Sequence, residues 1–289
     1  MSKIFNYETA FSRNIGWLTE KEQQSLRNKR IAIAGMGGVG GSHLLTLTRL
    51  GIGKFHIADF DSFEVANFNR QAGANMETVG RQKATSLAEQ AKQINPELDI
   101  KIFSSGVNNE NLSEFLTDVD LYVDGLDFFV LDIRRKVFDL CYQKSIPAIT
   151  AAPLGMGTAL LNFLPGKMSF EDYFRLEGQT DDEQQIRFLL GLSPAMLQRN
   201  YLVDPSAVDF KNKKGPSTPM ACELCAGLAA TQALKILTRR GSVLPAPWGL
   251  HFDAYRNKMV KTWRPWGNNN PIQKIGLAIA RNQLKQMGN

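Results

Sequence analysis

Four glycines, Gly35, Gly37, Gly38 and Gly40, stand within six residues in "GMGGVG". An acidic pair follows in "DFD", Asp59 and Asp61. Three polar residues, Asn67, Arg70 and Gln71, follow in "NFNRQ", then Lys83 in "GRQKA" and Asp127 in "DGLD". Glycines at G-x-G-x-x-G spacing let a backbone turn tightly and approach a phosphate closely. A helix starting at such a loop adds N–H donors and positive potential. Asp59 comes about 20 residues after the loop, where an acid accepts hydrogen bonds from ribose hydroxyls. The plain alternatives are a tight strand–helix turn with no ligand, and a helix or turn cap at Asp59.

The glycines and Asp59 do not by themselves separate a dinucleotide dehydrogenase from an ATP-binding enzyme. The next residues do. A triphosphate needs its negative charge neutralised during phosphoryl or nucleotidyl transfer, and Arg70 with Lys83 supplies two cations for that. A hydride-transferring site has little use for them beside a nicotinamide. Taken singly, each cation also fits a solvated surface position, so it is the joint spacing that favours the triphosphate.

The elements that must carry these residues alternate. Residues 30–35 read as a short buried strand, 40–51 as a helix ending at Gly51, and 53–61 as a second strand. Residues 80–95 form an amphipathic helix stopped by Pro96, 99–106 a third strand, 111–119 a helix and 120–127 a fourth strand. A helix over 128–145 and a strand over 146–155 follow, and 157–166 is a further strand that turns away from the parallel set. Short-spaced alternation predicts an α/β, doubly wound, Rossmann-like fold, with a mostly parallel sheet and an antiparallel extension. Before it, 19–29 is a polar helix with Thr19 and Glu22 at capping-box spacing. After it, 167–220 breaks the pattern, 223–241 is a long helix and 248–265 an antiparallel pair. The chain therefore divides into an N-terminal helical arm (1–29), a nucleotide-binding core (30–166) and an excursion or lid (167–222). A core-completing helix and strands (223–266) and a basic C-terminal tail (267–289) follow.

As an ordered set these motifs resemble the ubiquitin-activating-enzyme-like superfamily, of ThiF, MoeB and HesA type. That group carries G-x-G-G-x-G, D-x-D, N-x-x-R-Q, a lysine, and D-x-x-D after the fourth strand. The resemblance covers roughly residues 8–165, with a weaker match at the 223–241 helix. It implies an enzyme that binds ATP and Mg²⁺ and adenylates a carboxylate, with release of pyrophosphate. In that group the carboxylate is usually the C-terminus of a ubiquitin-like β-grasp protein; a peptide, a modified tRNA base and a small acid stay open as substrates here. Asp59 would hold the ribose; Asn67, Arg70 and Lys83 would grip the phosphates; Asp127 would bind Mg²⁺. Arg13, in "AFSRNIG", matches an arginine that reaches into a partner subunit's ATP site, which implies a homodimer; as a residue it also reads as an ordinary surface arginine. Two alternatives stay open: an NAD(P)- or FAD-binding oxidoreductase, for which no catalytic His or Tyr constellation stands out, and a nucleotide-binding scaffold without catalysis.

The chain departs from the resemblance at its cysteines. Many relatives hold zinc with two C-x-x-C pairs; here there is one, Cys222 and Cys225, and no structural zinc is expected. The pair reads as small buried residues at a helix start, or as a thiolate with a lowered pKa. Residues 167–220 hold no cysteine to accept a thioester. "MSFEDYF" (168–174) reads as a helix packing its aromatic face, or as a contact to the acyl substrate. "KKGPSTPM" (213–220) reads as a mobile lid. The basic terminal helix suits docking on its own domain or binding a partner or membrane surface.

Composition sets the outer bounds. The 289 residues are 43% hydrophobic and 21% charged, ordinary for a soluble globular protein. The net charge of +6 suits an acidic or phosphorylated partner, or solubility alone. No dense basic block interleaves with aromatics, which argues against nucleic acid. No signal-peptide core, membrane-spanning stretch or disulfide framework is seen, so a cytoplasmic location is expected.

Overall fold

The computed structural model describes residues 4–208, 212–213 and 215–287. Two short helices, α1 (Tyr7–Ala10) and α2 (Glu20–Arg27), precede the first strand, β1 (Arg30–Ala34). The Thr19 and Glu22 pair forms the expected capping box: Thr19 Oγ1 accepts from the Glu22 N–H at 3.1 Å, and Glu22 Oε2 accepts from the Thr19 N–H at 2.8 Å. Then come α3 (Gly40–Arg49), β2 (Lys54–Ala58), α4 (Lys83–Ile94), β3 (Asp99–Phe103), α5 (Leu112–Phe115), β4 (Leu121–Asp124) and α6 (Leu131–Gln143). A hairpin of β5 (Ala148–Leu154) and β6 (Gly157–Phe163) leads into α7 (Phe170–Phe174) and α8 (Asp181–Leu192). The chain closes with α9 (Pro219–Thr238), β7 (Trp248–Asp253), β8 (Lys258–Trp263) and α10 (Pro271–Met287).

All eight strands join one sheet in the order β3-β2-β1-β4-β5-β6-β7-β8. Neighbours from β3 through β5 are parallel, and those from β5 to β8 are antiparallel. The expected Rossmann-like sheet with an antiparallel extension is therefore present. The strand order reverses between β1 and β4, and ligands of open α/β sheets bind in the crevice beyond such a switch point.

Alternation along the strands feeds two cores. Ile31, Ile33, Val123, Ile149 and Leu160 pack with Leu44 of α3, Leu87 of α4 and Ala229 of α9. On the other face, Ala32, Ala34 and Tyr122 meet an aromatic cluster that includes Phe138, Phe163, Phe170, Phe174 and Phe188. Phe170 stacks on Phe138 with ring centroids 4.4 Å apart, so the 168–174 segment packs its aromatic face on the core.

Several boundaries differ from the sequence reading. The helix expected over 128–145 begins only at Leu131, because residues 126–130 are held by Arg134 in a loop. The helix expected over 111–119 is a single turn, Leu112–Phe115. α9 begins four residues before 223, with Pro219 in its first turn, where a missing N–H costs nothing. α9 is long and apolar enough to cross a membrane, yet it lies packed on β5, β6 and α3. Before it, Ser217 and Thr218 are tied down: Asn69 Nδ2 donates to the Ser217 carbonyl at 3.0 Å, and Thr218 Oγ1 donates to the Gly155 carbonyl at 2.7 Å. Of the segment read as a lid, Lys214 lies outside the described residues. The terminal helix docks on its own domain, with Leu277 of α10 buried against Ile186 and Leu190 of α8 and Arg281 paired with Glu183.

Candidate active site

The four glycines divide by role. Gly35 has φ +85°, a left-handed conformation costly for other residues, and a Cβ there would lie 2.2 Å from the Gly125 carbonyl oxygen. A Cβ on Gly40 would lie 1.8 Å from the Gly35 carbonyl oxygen. These two glycines let the loop after β1 press against α3 and against Gly125, which follows β4 across the switch point. Gly37 and Gly38 are different: a Cβ on Gly37 would meet nothing nearer than Gln71 Nε2 at 3.8 Å, and one on Gly38 would touch Cys222 Sγ at 3.3 Å. At Gly37 the missing side chain leaves the backbone approachable, while at Gly38 it makes room for Cys222 and Arg70. α3 starts here without a side-chain cap, although its Gly41 N–H already donates to the Gly37 carbonyl at 3.4 Å.

Asp59 braces the loop. Its Oδ2 accepts from the Met36 N–H at 2.6 Å and its Oδ1 from the Asp61 N–H at 2.7 Å. Burial pushes its pKa up, against the pull of these two donors and of Lys83. Asp61 pairs with Lys83 at 3.0 Å, and the Lys83 N–H donates to the Asp61 carbonyl at 2.9 Å. Lys83 is buried at the first residue of α4, so its ammonium is fixed beside the acidic pair.

Arg70 lies on the other side of the loop. Its Cγ and Nε come within 3.9 Å of the Gly38 Cβ position. Its Nη1 donates to the Ala66 carbonyl and to Asn69 Oδ1. Among the described residues it forms no ion pair with a carboxylate. Gln71 is buried next to Gly37, and its Oε1 has no partner among the described residues. Asn67 is used locally: its Oδ1 accepts from the Glu64 N–H at 3.0 Å, which shapes the turn that presents Arg70.

Asp127 is exposed on the loop after β4. Its Oδ1 accepts from the Phe129 N–H at 3.0 Å. Behind it lies a buried ion pair absent from the sequence reading, Arg134 Nε to Asp124 Oδ2 at 2.9 Å, each side chain 2% exposed. Gly125, Asp124 and Arg134 are the residues that reading missed. A glycine directly after the strand at the switch point, in "DGLD", is the available signal for the first. Nothing local marks Arg134 as Asp124's partner.

Arg13 is not part of this cluster within one chain. It is exposed on the turn Ser12–Asn14, and its neighbour Asn14 donates to the Arg49 and Leu50 carbonyls. That is the C-terminal end of α3, and the ten-residue helix separates it from the glycine loop by about 15 Å. Cys222 and Cys225 are both buried in the first two turns of α9, and burial raises both thiol pKa values. That contradicts the lowered-pKa alternative and leaves them as packed small residues; Cys225 donates to Thr158 Oγ1.

The donor set fits a metal that arrives with its nucleotide. Among the described residues no group of three or more His, Cys, Asp or Glu can hold an ion. Mg²⁺ commonly takes one or two carboxylates and completes its shell with phosphate oxygens and water. Asp127, exposed with one oxygen committed to a backbone N–H, suits that use.

A family model described as the ThiF family matches residues 11–273. The chain is 34% identical over 157 residues to the tRNA threonylcarbamoyladenosine dehydratase of Haemophilus influenzae, covering 54% of this chain and 59% of that protein. It is 27% identical over 134 residues to the molybdopterin-synthase adenylyltransferase of Salmonella typhimurium, covering 46% and 53% respectively. The matched stretch thus spans about half the length of these curated relatives. Among solved structures, E. coli MccB with ATP superposes with a TM-score of 0.64 at 19% identity, over 90% of this chain and 71% of that one, a likeness of fold.

Proposed function

The chain belongs to the ThiF family, and on that premise we propose that it is an ATP-dependent adenylyltransferase acting on a carboxylate substrate. The observation that carries this reading is Arg70: a guanidinium with no carboxylate partner among the described residues, packed beside Gly38 in the glycine loop. An unneutralised cation at a phosphate loop suits a polyphosphate tail more than a nicotinamide path. The Salmonella relative's name, an adenylyltransferase, supports the same chemistry.

In this reading the N–H groups of the Gly37–Gly40 turn and α3 receive the phosphates, and Asp59 accepts from the ribose. Arg70 and Lys83 offset the repulsion between two anions, the incoming carboxylate and the triphosphate. Gln71 closes the loop's inner side, and Asn67 holds the Arg70 turn. Asp127 would hold Mg²⁺, which would supply further charge neutralisation. The carboxylate oxygen bonds to the α-phosphorus, the bond to the bridging oxygen breaks, and pyrophosphate leaves with its electron pair. The product is a mixed acyl–AMP anhydride. No general base is needed, because a carboxylate is already deprotonated near neutral pH.

The substrate class we favour is a chain ending in a free carboxylate, either a β-grasp protein or a peptide. The acting unit is a homodimer, since Arg13 sits about 15 Å from its own loop and serves only a second copy's site. The location is the cytoplasm, where ATP is supplied. Incubation of the purified chain with labelled ATP, Mg²⁺ and clarified lysate, read by mass for an AMP-bearing species, tests this. Labelling lost in Lys83→Ala is the expected result. A chain that binds NADH and ignores ATP overturns it.

A further inference from the structure

The loop between β4 and α6 is built around one side chain. Arg134, 2% exposed, donates from Nη2 to the Leu126 carbonyl at 2.6 Å and the Asp127 carbonyl at 3.0 Å. Its Nη1 donates to the Val130 carbonyl at 3.0 Å and the Phe128 carbonyl at 3.4 Å, and its Nε to Asp124 Oδ2 at 2.9 Å. Asp124 is itself held by Thr150 Oγ1, the Tyr122 hydroxyl and the Leu126 N–H. The guanidinium plane lies 4.7 Å from the ring centroid of Phe188, on α8.

Four carbonyls of the loop between β4 and α6 therefore converge on a single buried cation. These bonds are shielded by the buried guanidinium, and breaking them leaves carbonyls unpaired beside it, so they stay turned inward. With the carbonyls committed inward, the Asp127 side chain faces out, and the Phe129 N–H fixes its Oδ1. We propose that Arg134 is the positioning residue of this site: it fixes the loop that presents the Asp127 carboxylate to metal-bearing phosphates. Arg134 touches neither nucleotide nor metal. Its fork of donors is what the task requires, and a lysine in its place keeps the charge for Asp124 but cannot reach four carbonyls at once.

The inference rests on the adenylyltransferase reading, and its test separates the two. ATP affinity of the full chain is titrated with and without Mg²⁺ in the unaltered protein, in Arg134→Lys and in Phe188→Leu. Amide exchange over 125–131 is followed alongside. Arg134→Lys is expected to keep the Mg²⁺-free ATP affinity, since the glycine loop stands on β1 and α3. It should lose about 10–100-fold of the tightening that Mg²⁺ confers, the usual scale for removing a support behind a metal ligand. Its 125–131 amides should exchange faster. Phe188→Leu, which leaves the Arg134 hydrogen bonds intact, covers the case in which the lysine variant does not fold; it should show a smaller loss of the same kind. Mg²⁺ tightening that survives in the folded variants overturns the positioning role alone. An unaltered chain that binds no ATP overturns both.

Discussion

Alanine at Gly37 and alanine at Gly40 should have opposite effects. At Gly40 the new Cβ would lie 1.8 Å from a backbone oxygen, Gly35 O, and 2.7 Å from its carbonyl carbon. No rotamer relieves a clash between a Cβ and backbone. Relief needs a shift of more than an ångström where the loop, α3 and Gly125 are already in contact. Overpacking of this kind costs about 3 kcal/mol, and at about 2–4 °C per kcal/mol for a chain of this size Tm should fall by roughly 6–12 °C. At Gly37 the nearest atom is Gln71 Nε2 at 3.8 Å, an ordinary van der Waals contact. Gly37→Ala should therefore change stability by no more than about 0.5 kcal/mol. Its methyl would still occupy the space through which a phosphate approaches the backbone, so ATP affinity should drop about tenfold or more, a loss near 1.4 kcal/mol. Thermal unfolding and calorimetric ATP titration read both variants. A Gly37→Ala protein that melts normally and binds ATP as tightly as the unaltered chain would refute the division of the glycines into two roles.

Two further outcomes are expected. His43 and His251 are buried, and desolvation lowers each pKa from 6.5 to about 4. The unfolded chain binds these protons from about pH 6.5 downward while the folded chain does not until about pH 4, so stability should fall as pH drops through that window, by roughly 3 kcal/mol per imidazole at most. Both His43 ring nitrogens lack partners among the described residues, so His43→Leu should flatten the urea-unfolding profile between those limits; an unchanged slope would contradict the buried neutral assignment. If Arg13 serves the partner's site, Arg13→Ala and Lys83→Ala proteins should each fail at adenylate formation alone and recover it when unfolded together and refolded as a mixture. No recovery would place Arg13 outside the reaction.

The capping box at Thr19, the strand–glycine–helix order and the acid at the end of β2 were all legible in the sequence. Each is encoded within a few residues, by period, cap chemistry or backbone freedom. The switch to antiparallel strands was legible too, because β5 and β6 are joined by a turn too short for a crossover. The start of α6 was misread for the opposite reason. Residues 128–130 carry helical periodicity, but the guanidinium of Arg134 and its buried partner Asp124 hold them in a loop.

The sequence by itself determined which groups are on offer: a glycine-rich loop, an acidic pair, two cations and a carboxylate, in fixed order along alternating strands and helices. Only the tertiary structure decided which of them meet. Gly125 presses on Gly35 across 90 positions, Cys222 reaches Gly38, and Arg13 ends up at the far end of α3. Such contacts depend on strand order and on which face each helix covers, and these are set by burial summed over the whole sheet rather than by any local pattern.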